Sequence, residues 1–179
     1  MLEDIKINYI YCPYAVTKLE QHSSIKNSLL DSISKMPNSC QNNVGSEIIS
    51  KTDWNLPRHI KRNYWPILEP SLTKTMSKVY KKLNITEFKY ENSWFQQYYK
   101  NDYHTWHIHG DVNWTNIYYL ELPNNETKTE LLNEDNSILT PEVYEGAILT
   151  LPSIVWHRSP VNISDSRKTV IVFNTITPN

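Results

Sequence analysis

The sequence of 179 residues is 39% hydrophobic and 12% aromatic, which is enough for the core of one folded domain. Its 18 basic and 19 acidic residues nearly balance, so no basic field would draw it to nucleic acid or anionic lipid. No run approaches the roughly 18 apolar residues of a membrane helix, and the N-terminus lacks a signal-peptide pattern. Cys12 and Cys40 give neither a disulfide framework nor a zinc motif. We therefore expect a cytoplasmic protein with no membrane and no nucleic-acid partner.

The first 84 residues predict a region of supporting helices that follows one strand. Residues 5–11 are rich in Ile and Tyr and predict that strand. Apolar residues at helical spacing predict one helix over 23–36 and another over 68–83. Asn84 lies where the second helix should end, because Asn tolerates the left-handed backbone that follows many helices. The stretch after the first helix is polar and rich in turn residues.

From residue 85 onward, short apolar segments alternate with turns. The predicted strands are residues 87–99, 104–109, 115–122, 147–151 and 169–175. Strands at this spacing favour a sandwich or jelly roll over a parallel α/β sheet. We therefore predict an α+β, mainly β fold in a single domain, residues 1–179. Residues 85–179 would form its jelly-roll core, with the N-terminal helices packed on one sheet.

Histidines that could bind a metal lie at two places in the predicted core. Alternate residues of a strand point to the same face, so His107 and His109 aim together, as do His109 and Asp111. His157 follows an apolar strand and a turn, a suitable place for a third ligand. A non-haem iron site needs three protein ligands on one face of an octahedron. The ligands are therefore either His107, His109 and His157, or His109, Asp111 and His157. His104 is expected at the surface or behind the ligands.

The stretch Tyr98–His109 (YYKNDYHTWHIH) resembles a segment of the Fe(II)/2-oxoglutarate dioxygenases that reads Tyr-x-x-Gly, five residues, His-x-Asp. Asn101 takes the glycine place, where Asn suits a left-handed turn, and His107 and His109 take the places of His and Asp. Residues 146–157 (GAILTLPSIVWH) resemble the run that contains the distal iron ligand. The strongest likeness is to short 2-oxoglutarate/iron oxygenases of phages and marine bacteria that have His-x-His.

The resemblance implies a double-stranded β-helix core and an oxygenase of the hydroxylase class that uses Fe(II), 2-oxoglutarate and O2. Arg167 and Thr169 match the Arg-x-Ser/Thr pair that holds the distal carboxylate of 2-oxoglutarate, and Tyr119 would add a phenol donor. Lys168 is expected to point the other way, into solvent. Trp114, in the turn after the histidine motif, is expected to contact the substrate.

Two other functions stay open. A cupin-like three-histidine dioxygenase would use the same metal ligands without 2-oxoglutarate, so that substituting Arg167 would leave iron binding intact. A non-enzymatic jelly-roll binding module would not be stabilised by iron or manganese. The sequence indicates neither the substrate, whether small molecule or side chain, nor the oligomeric state. If the protein is encoded by a phage, it would act in the host cytoplasm.

Overall fold

The computed structural model describes residues 6–9, 12–37, 39–41, 47–123 and 127–178. Within these residues the helices are α1 (His22–Ser34) and α2 (Trp65–Lys82). The strands are β1 (Lys6–Tyr9), β2 (Pro13–Lys18), β3 (Ser39–Gln41), β4 (Glu47–Thr52), β5 (Lys89–Tyr98), β6 (Tyr103–His107), β7 (Trp114–Glu121), β8 (Glu130–Leu132), β9 (Ile138–Leu139), β10 (Ala147–Pro152), β11 (His157–Ser159) and β12 (Lys168–Ile176). Neither of these helices has the length and apolar composition needed to cross a membrane.

The fold is mostly β, and its described strands form one curled antiparallel sheet. The order is β1-β2-β10-β7-β12-β5-β4-β6-β11-β8-β9, with β3 paired to β4. Strand β4 joins the two parts of this sheet. Its residues Lys51 and Thr52 pair with β5, whereas Ile48 pairs with Tyr103 of β6. The curl brings β8 and β11 over the face of β5, β7 and β12, as in a jelly-roll-like fold.

Apolar side chains fill both faces of the central strands. On β12, Ile171 and Phe173 belong to the cluster that packs against the helices, whereas Val170 and Val172 belong to the cluster enclosed by the curl. The helices contribute the apolar residues Leu29, Ile33, Leu68, Leu72 and Val79 to the first cluster. Successive residues of a strand point to opposite faces, so the helices support the sheet from behind and leave its other face for a site.

The elements with a strong local pattern are those that the sequence predicted. Both helices are present, and α2 begins at Trp65 because Pro66 fits the first turn of a helix. The five strands predicted after residue 85 correspond to β5, β6, β7, β10 and β12. The predicted left-handed backbone is confirmed at Asn84 (φ +60°) and Asn101 (φ +72°).

Other strands were not predicted, because pairing with neighbours rather than local pattern stabilises them. Strands β2 and β4 lie in the first 84 residues, which therefore supply strands of the sheet as well as its supporting helices. Strands β8, β9 and β11 are two or three residues long. Of the predicted first strand, residues 6–9 form β1 and the remainder lies outside the described residues.

Gly146 occupies a position that no other residue fits without strain. Its φ is +89°, and a Cβ there would lie 2.9 Å from Cγ of the buried His22. A hydrogen bond of 2.7 Å between Nδ1 of His22 and the hydroxyl of Tyr118 keeps that ring in place. Gly146→Ala is therefore expected to lower the free energy of unfolding by about 2 kcal/mol in urea titrations. Gly110→Ala is the control, because a Cβ at Gly110 meets nothing within 4 Å and should cost less than about 0.5 kcal/mol. Equal losses in the two variants would contradict this reason.

Candidate metal centre

Three histidines converge on the enclosed face of the sheet. His107 ends β6 and lies directly opposite His157, the first residue of β11, in their antiparallel pairing. His109 follows two residues after His107, and its backbone N–H donates to the carbonyl of Ser153 at 3.0 Å. One ring nitrogen from each histidine lies within 4.8 Å of the others. This spacing suits three ligands of one metal ion.

Hydrogen bonds fix which nitrogen each imidazole offers. Nδ1 of His107 lies 2.8 Å from the carbonyl oxygen of Thr105, and Nδ1 of His157 lies 2.9 Å from that of Val155. Nδ1 of His109 lies 2.8 Å from Oδ1 of Asn174 on β12. Because each of these oxygens accepts, Nδ1 carries the proton and Nε2 keeps a lone pair. The three Nε2 atoms are thus prepared to bind a cation.

The environment also keeps the three imidazoles neutral. Burial, followed by the neighbouring His157, lowers the pKa of His107 to about 2. Burial, followed by the neighbouring His109, lowers the pKa of His157 to about 3. Burial lowers the pKa of His109 as well. A metal ligand must be unprotonated, so this cluster can take a divalent cation at neutral pH without first losing protons.

Asp111, the alternative ligand, is not part of this cluster. Its side chain is exposed and its backbone has a φ of +58°, so the chain turns away after His109. His104 lies behind a proposed ligand, one of the two places expected for it, because its ring stacks on that of His107 with 3.8 Å between centroids. A bulge between β6 and β11 adds one residue between His104 and His107, which lets two residues three apart share a face.

The three histidines line a cavity on the enclosed face of the sheet, the inner cavity, and Lys168 of β12 lines it too. Its side chain is 1% exposed, and its Nζ donates to the carbonyl of Thr127 at 2.6 Å and to Oγ of Ser159 at 2.7 Å. Nζ also lies 5.2 Å from the ring centroid of Tyr98. No carboxylate pairs with Lys168 within the described part of the chain, and burial lowers its pKa to about 7. A buried ammonium without a counter-ion is costly unless an anion joins it.

The predicted directions of residues 167–169 are reversed in the structure. Arg167 binds Glu121 through two hydrogen bonds of 2.8 and 2.9 Å, and Thr169 donates a hydrogen bond to the same carboxylate. Both side chains lie on the face away from the inner cavity, whereas Lys168, expected in solvent, is buried inside it. The reason is that both faces of β12 are apolar, so alternation gives no direction.

Tyr119 and Trp114 also differ from their predicted roles. The hydroxyl of the fully buried Tyr119 donates to Oγ1 of Thr129 at 2.6 Å, and its ring lies 6.0 Å from Nζ of Lys168. It therefore forms a wall behind Lys168 instead of offering a free donor. Trp114 packs against Tyr80 of α2, with 5.9 Å between ring centroids, on the helix side of the sheet. The structure does not bring Trp114 to the cavity.

Residues outside the predicted set of ligands and cosubstrate contacts line an outer cavity next to the histidines. The ring of Trp94 lies 5.4 Å from that of His109, and Trp54 packs against Trp94 at 4.2 Å. Gln96 lines both the inner and the outer cavity. The alternation of β5 could have identified Trp94 and Gln96 as neighbours on one face. Trp54 follows β4, which no sequence pattern predicted.

Comparisons with known proteins give a fold and no sequence relative. No protein-family model matches the sequence, and no curated protein matches it. Among solved structures, a Pseudomonas putida prolyl-4-hydroxylase matches with a TM-score of 0.61 and 10% identity, over 92% of each chain. The viral collagen prolyl hydroxylase of Paramecium bursaria Chlorella virus-1, solved with 2-oxoglutarate, matches with a TM-score of 0.60 and 12% identity, over 93% of this chain and 96% of the other.

A third structure widens the comparison beyond prolyl hydroxylases. An oxidoreductase of the 2OG-Fe(II) oxygenase family from Burkholderia pseudomallei matches with a TM-score of 0.67 and 9% identity, over 93% of this chain and 85% of the other. Because these identities are low, the likeness concerns the arrangement of the backbone. The chain therefore has the fold of 2OG-Fe(II) oxygenases, with a cluster of three histidines on its enclosed face.

Proposed function

We propose that this protein is a 2-oxoglutarate-dependent Fe(II) oxygenase that hydroxylates its substrate. His107, His109 and His157 would hold the iron, and Lys168 would bind the distal carboxylate of 2-oxoglutarate. The observation that supports this most is the position of Lys168 in the cavity that the three histidines line, as a buried ammonium with no carboxylate partner among the described residues. A pair of carboxylates joined by a short chain would span from the metal to this ammonium.

The residues fit the iron. Three neutral imidazoles with Nε2 lone pairs provide one face of ligands, and the remaining positions stay open for cosubstrate and oxygen. Asn174 accepts a hydrogen bond from Nδ1 of His109 and so orients this imidazole. Metal sites commonly use such hydrogen bonds, from residues that do not themselves bind the metal, to fix their histidine ligands. Bound Fe(II) would supply the redox chemistry that couples the oxidation of 2-oxoglutarate to that of the substrate.

The residues also fit the carboxylate of 2-oxoglutarate. The inner cavity is narrow, about 30 Å³, so an entering anion must draw Nζ of Lys168 away from Thr127 and Ser159. The ammonium and the Ser159 hydroxyl would then face the anion together, and a charged hydrogen bond is the strongest kind available here. Val170 and Val172 line the cavity and would exclude water from this contact.

Turnover of 2-oxoglutarate tests the proposal. We expect the protein, purified without oxygen and loaded with Fe(II), to convert 2-oxoglutarate to succinate when oxygen is admitted, as measured by NMR. The same protein loaded with Zn(II) should form no succinate, because zinc has no redox chemistry. Failure of the metal-loaded protein to bind 2-oxoglutarate would reject the proposal. If iron binds without 2-oxoglutarate, a three-histidine dioxygenase of the cupin kind becomes the better hypothesis.

The pKa of Lys168 predicts how 2-oxoglutarate binding depends on pH. With a pKa of about 7, the fraction of free protein with an ammonium falls from about one half at pH 7 to about 1% at pH 9. The bound carboxylate favours the ammonium, so binding takes up a proton, and the affinity should fall about 50-fold between these pH values. Titration calorimetry in buffers of different ionisation enthalpy measures both effects. An affinity that rises with pH would contradict the role of Lys168.

A further inference from the structure

The outer cavity opens beside the metal-binding histidines. Its volume is about 250 Å³, and its walls include His107 and His109, the proposed ligands of the iron. A group in this cavity would therefore lie against the metal position. The volume is below the roughly 300–1,000 Å³ of pockets that hold a whole drug-sized ligand, so it suits one ring or one residue-sized group.

The walls of this cavity are polar, and none of the described residues that form them carries a charged side chain. The described residues that line it include the amides of Asn92, Gln96 and Asn174, and none is an Asp, Glu, Lys or Arg. A charged group placed here would lose water without gaining an ion partner, which is unfavourable. Among the described residues, Oδ1 of Asn92 is a buried acceptor without a donor. The amides of this wall suit an occupant that forms hydrogen bonds without carrying a charge.

Two indoles form one side of the cavity. Trp94 is buried, whereas Trp54 is 49% exposed, and the rings meet edge to face at 4.2 Å between centroids. A large aromatic side chain left half in water gains free energy when a ring or an aliphatic face covers it. The cavity thus offers an apolar surface opposite hydrogen-bonding amides.

Trp54 stands on a loop that the fold holds fixed. The carboxylate of Asp53, fully buried, accepts from the backbone N–H of Phe95 at 2.7 Å and from the hydroxyl of Tyr64 at 2.9 Å. The guanidinium of Arg62 lies 3.3 Å from that carboxylate. It also donates to the backbone carbonyls of Asp53, Leu56, Pro57 and Ile60. The exposed indole is therefore pre-positioned, which lowers the entropy cost of binding.

We propose that the outer cavity binds the part of the substrate that reacts, that this part is an uncharged ring with an amide or hydroxyl group, and that Trp54 selects it. This inference rests on the proposed function for the meaning of the adjacent metal position. Trp54 would act as a specificity-determining residue, because it contacts the ring and does not reach the proposed metal ligands.

A matched set of six-membered rings tests whether the outer cavity prefers an uncharged occupant. The probes are cyclohexanecarboxamide, cyclohexylmethylamine and cyclohexanecarboxylate, with binding measured by saturation-transfer NMR. The full chain is used both metal-free and with zinc plus the 2-oxoglutarate analogue N-oxalylglycine. The analogue would occupy Lys168, so that the carboxylate probe cannot bind there. We expect the carboxamide to bind at least about tenfold more tightly than either charged ring. The inference would be overturned if the charged rings bind as tightly as the carboxamide. It would also be overturned if the carboxamide shows no binding up to about 50 mM.

Variants of two exposed tryptophans test the role of Trp54. Trp54→Ala should weaken carboxamide binding about tenfold, and Trp54→Phe should restore most of it, because an aromatic face remains. Trp156→Ala is the matched control, since Trp156 is 46% exposed and does not line the cavity. Equal weakening by Trp54→Ala and Trp156→Ala, or no weakening by Trp54→Ala, would overturn the inference. If zinc and N-oxalylglycine fail to bind while the carboxamide still depends on Trp54, the proposed function fails, and the outer cavity stands as a binding site for an uncharged ring without a reaction.

Discussion

Replacing His157 with alanine is expected to abolish most metal binding while leaving the fold intact. His157 is 3% exposed and supplies one of the three converging nitrogens, so its loss leaves two ligands for the metal. We expect the dissociation constant for Zn(II) to rise about 10²-fold or more. With Zn(II) at 1,000 times the wild-type dissociation constant, the wild type should gain about 4 kcal/mol of stability. That gain corresponds to about 10 °C in melting temperature, and the variant should lose most of it.

Two controls show whether the effect belongs to the three-histidine cluster. His59→Ala removes an exposed histidine outside it and should not change the dissociation constant. Asp111→Ala should not change it either, because Asp111 is exposed and outside the cluster. A loss of binding in Asp111→Ala with none in His107→Ala would instead favour the ligand set of His109, Asp111 and His157. His109→Asp should retain binding, since a carboxylate is an ordinary iron ligand.

Replacing Lys168 with methionine is expected to raise the dissociation constant of 2-oxoglutarate about 10²-fold. A charged hydrogen bond lost from a buried site corresponds to up to about 3 kcal/mol. Methionine keeps most of the side-chain volume, so Tyr98 and Tyr119 keep their packing. The variant should be at least as stable as the wild type at pH 7, because methionine removes the free-energy cost of burying an ammonium without a counter-ion. Calorimetry and urea titrations measure the two effects.

The adjacent residue gives the matched control. Arg167→Ala should change 2-oxoglutarate affinity less than about threefold, because Arg167 faces away from the inner cavity. It should instead lower the free energy of unfolding by about 1 kcal/mol, since Glu121 loses its two guanidinium hydrogen bonds in a partly exposed place. If Arg167→Ala weakens 2-oxoglutarate more than Lys168→Met does, the assignment that the sequence predicted is the correct one.

Local patterns predicted the parts of the site that depend on neighbouring residues of one strand. His107 and His109 share a face because they are two residues apart, and Asn101 adopts the left-handed backbone that its place in the motif requires. The same rule would put His104 and His107 on opposite faces, but a bulge adds a residue between them and lets their rings stack. Alternation holds only while the pairing stays regular, and a sequence does not mark where a bulge occurs.

Residues 167–169 show a second limit of sequence patterns. Arg167 and Thr169 share one face and Lys168 takes the other, as alternation requires, but alternation does not say which face encloses the site. On a strand that is apolar on both sides, either assignment satisfies the pattern. The packing decides, because the helices cover the face of Ile171 and Phe173 and leave the face of Lys168 to the cavity.

Residue spacing along the chain was enough to predict the mainly β fold with two helices, the histidines that converge, and the left-handed turns at Asn84 and Asn101. These features depend on residues close in the chain, whose spacing the backbone geometry translates directly into direction. The folded structure was needed to show that Lys168 lines the inner cavity, that Trp54 and not Trp114 lines the outer cavity, and that Glu121 binds the guanidinium of Arg167. Those contacts join strands far apart in sequence, and which face of a buried strand meets them is settled by how the sheet curls and where the helices pack.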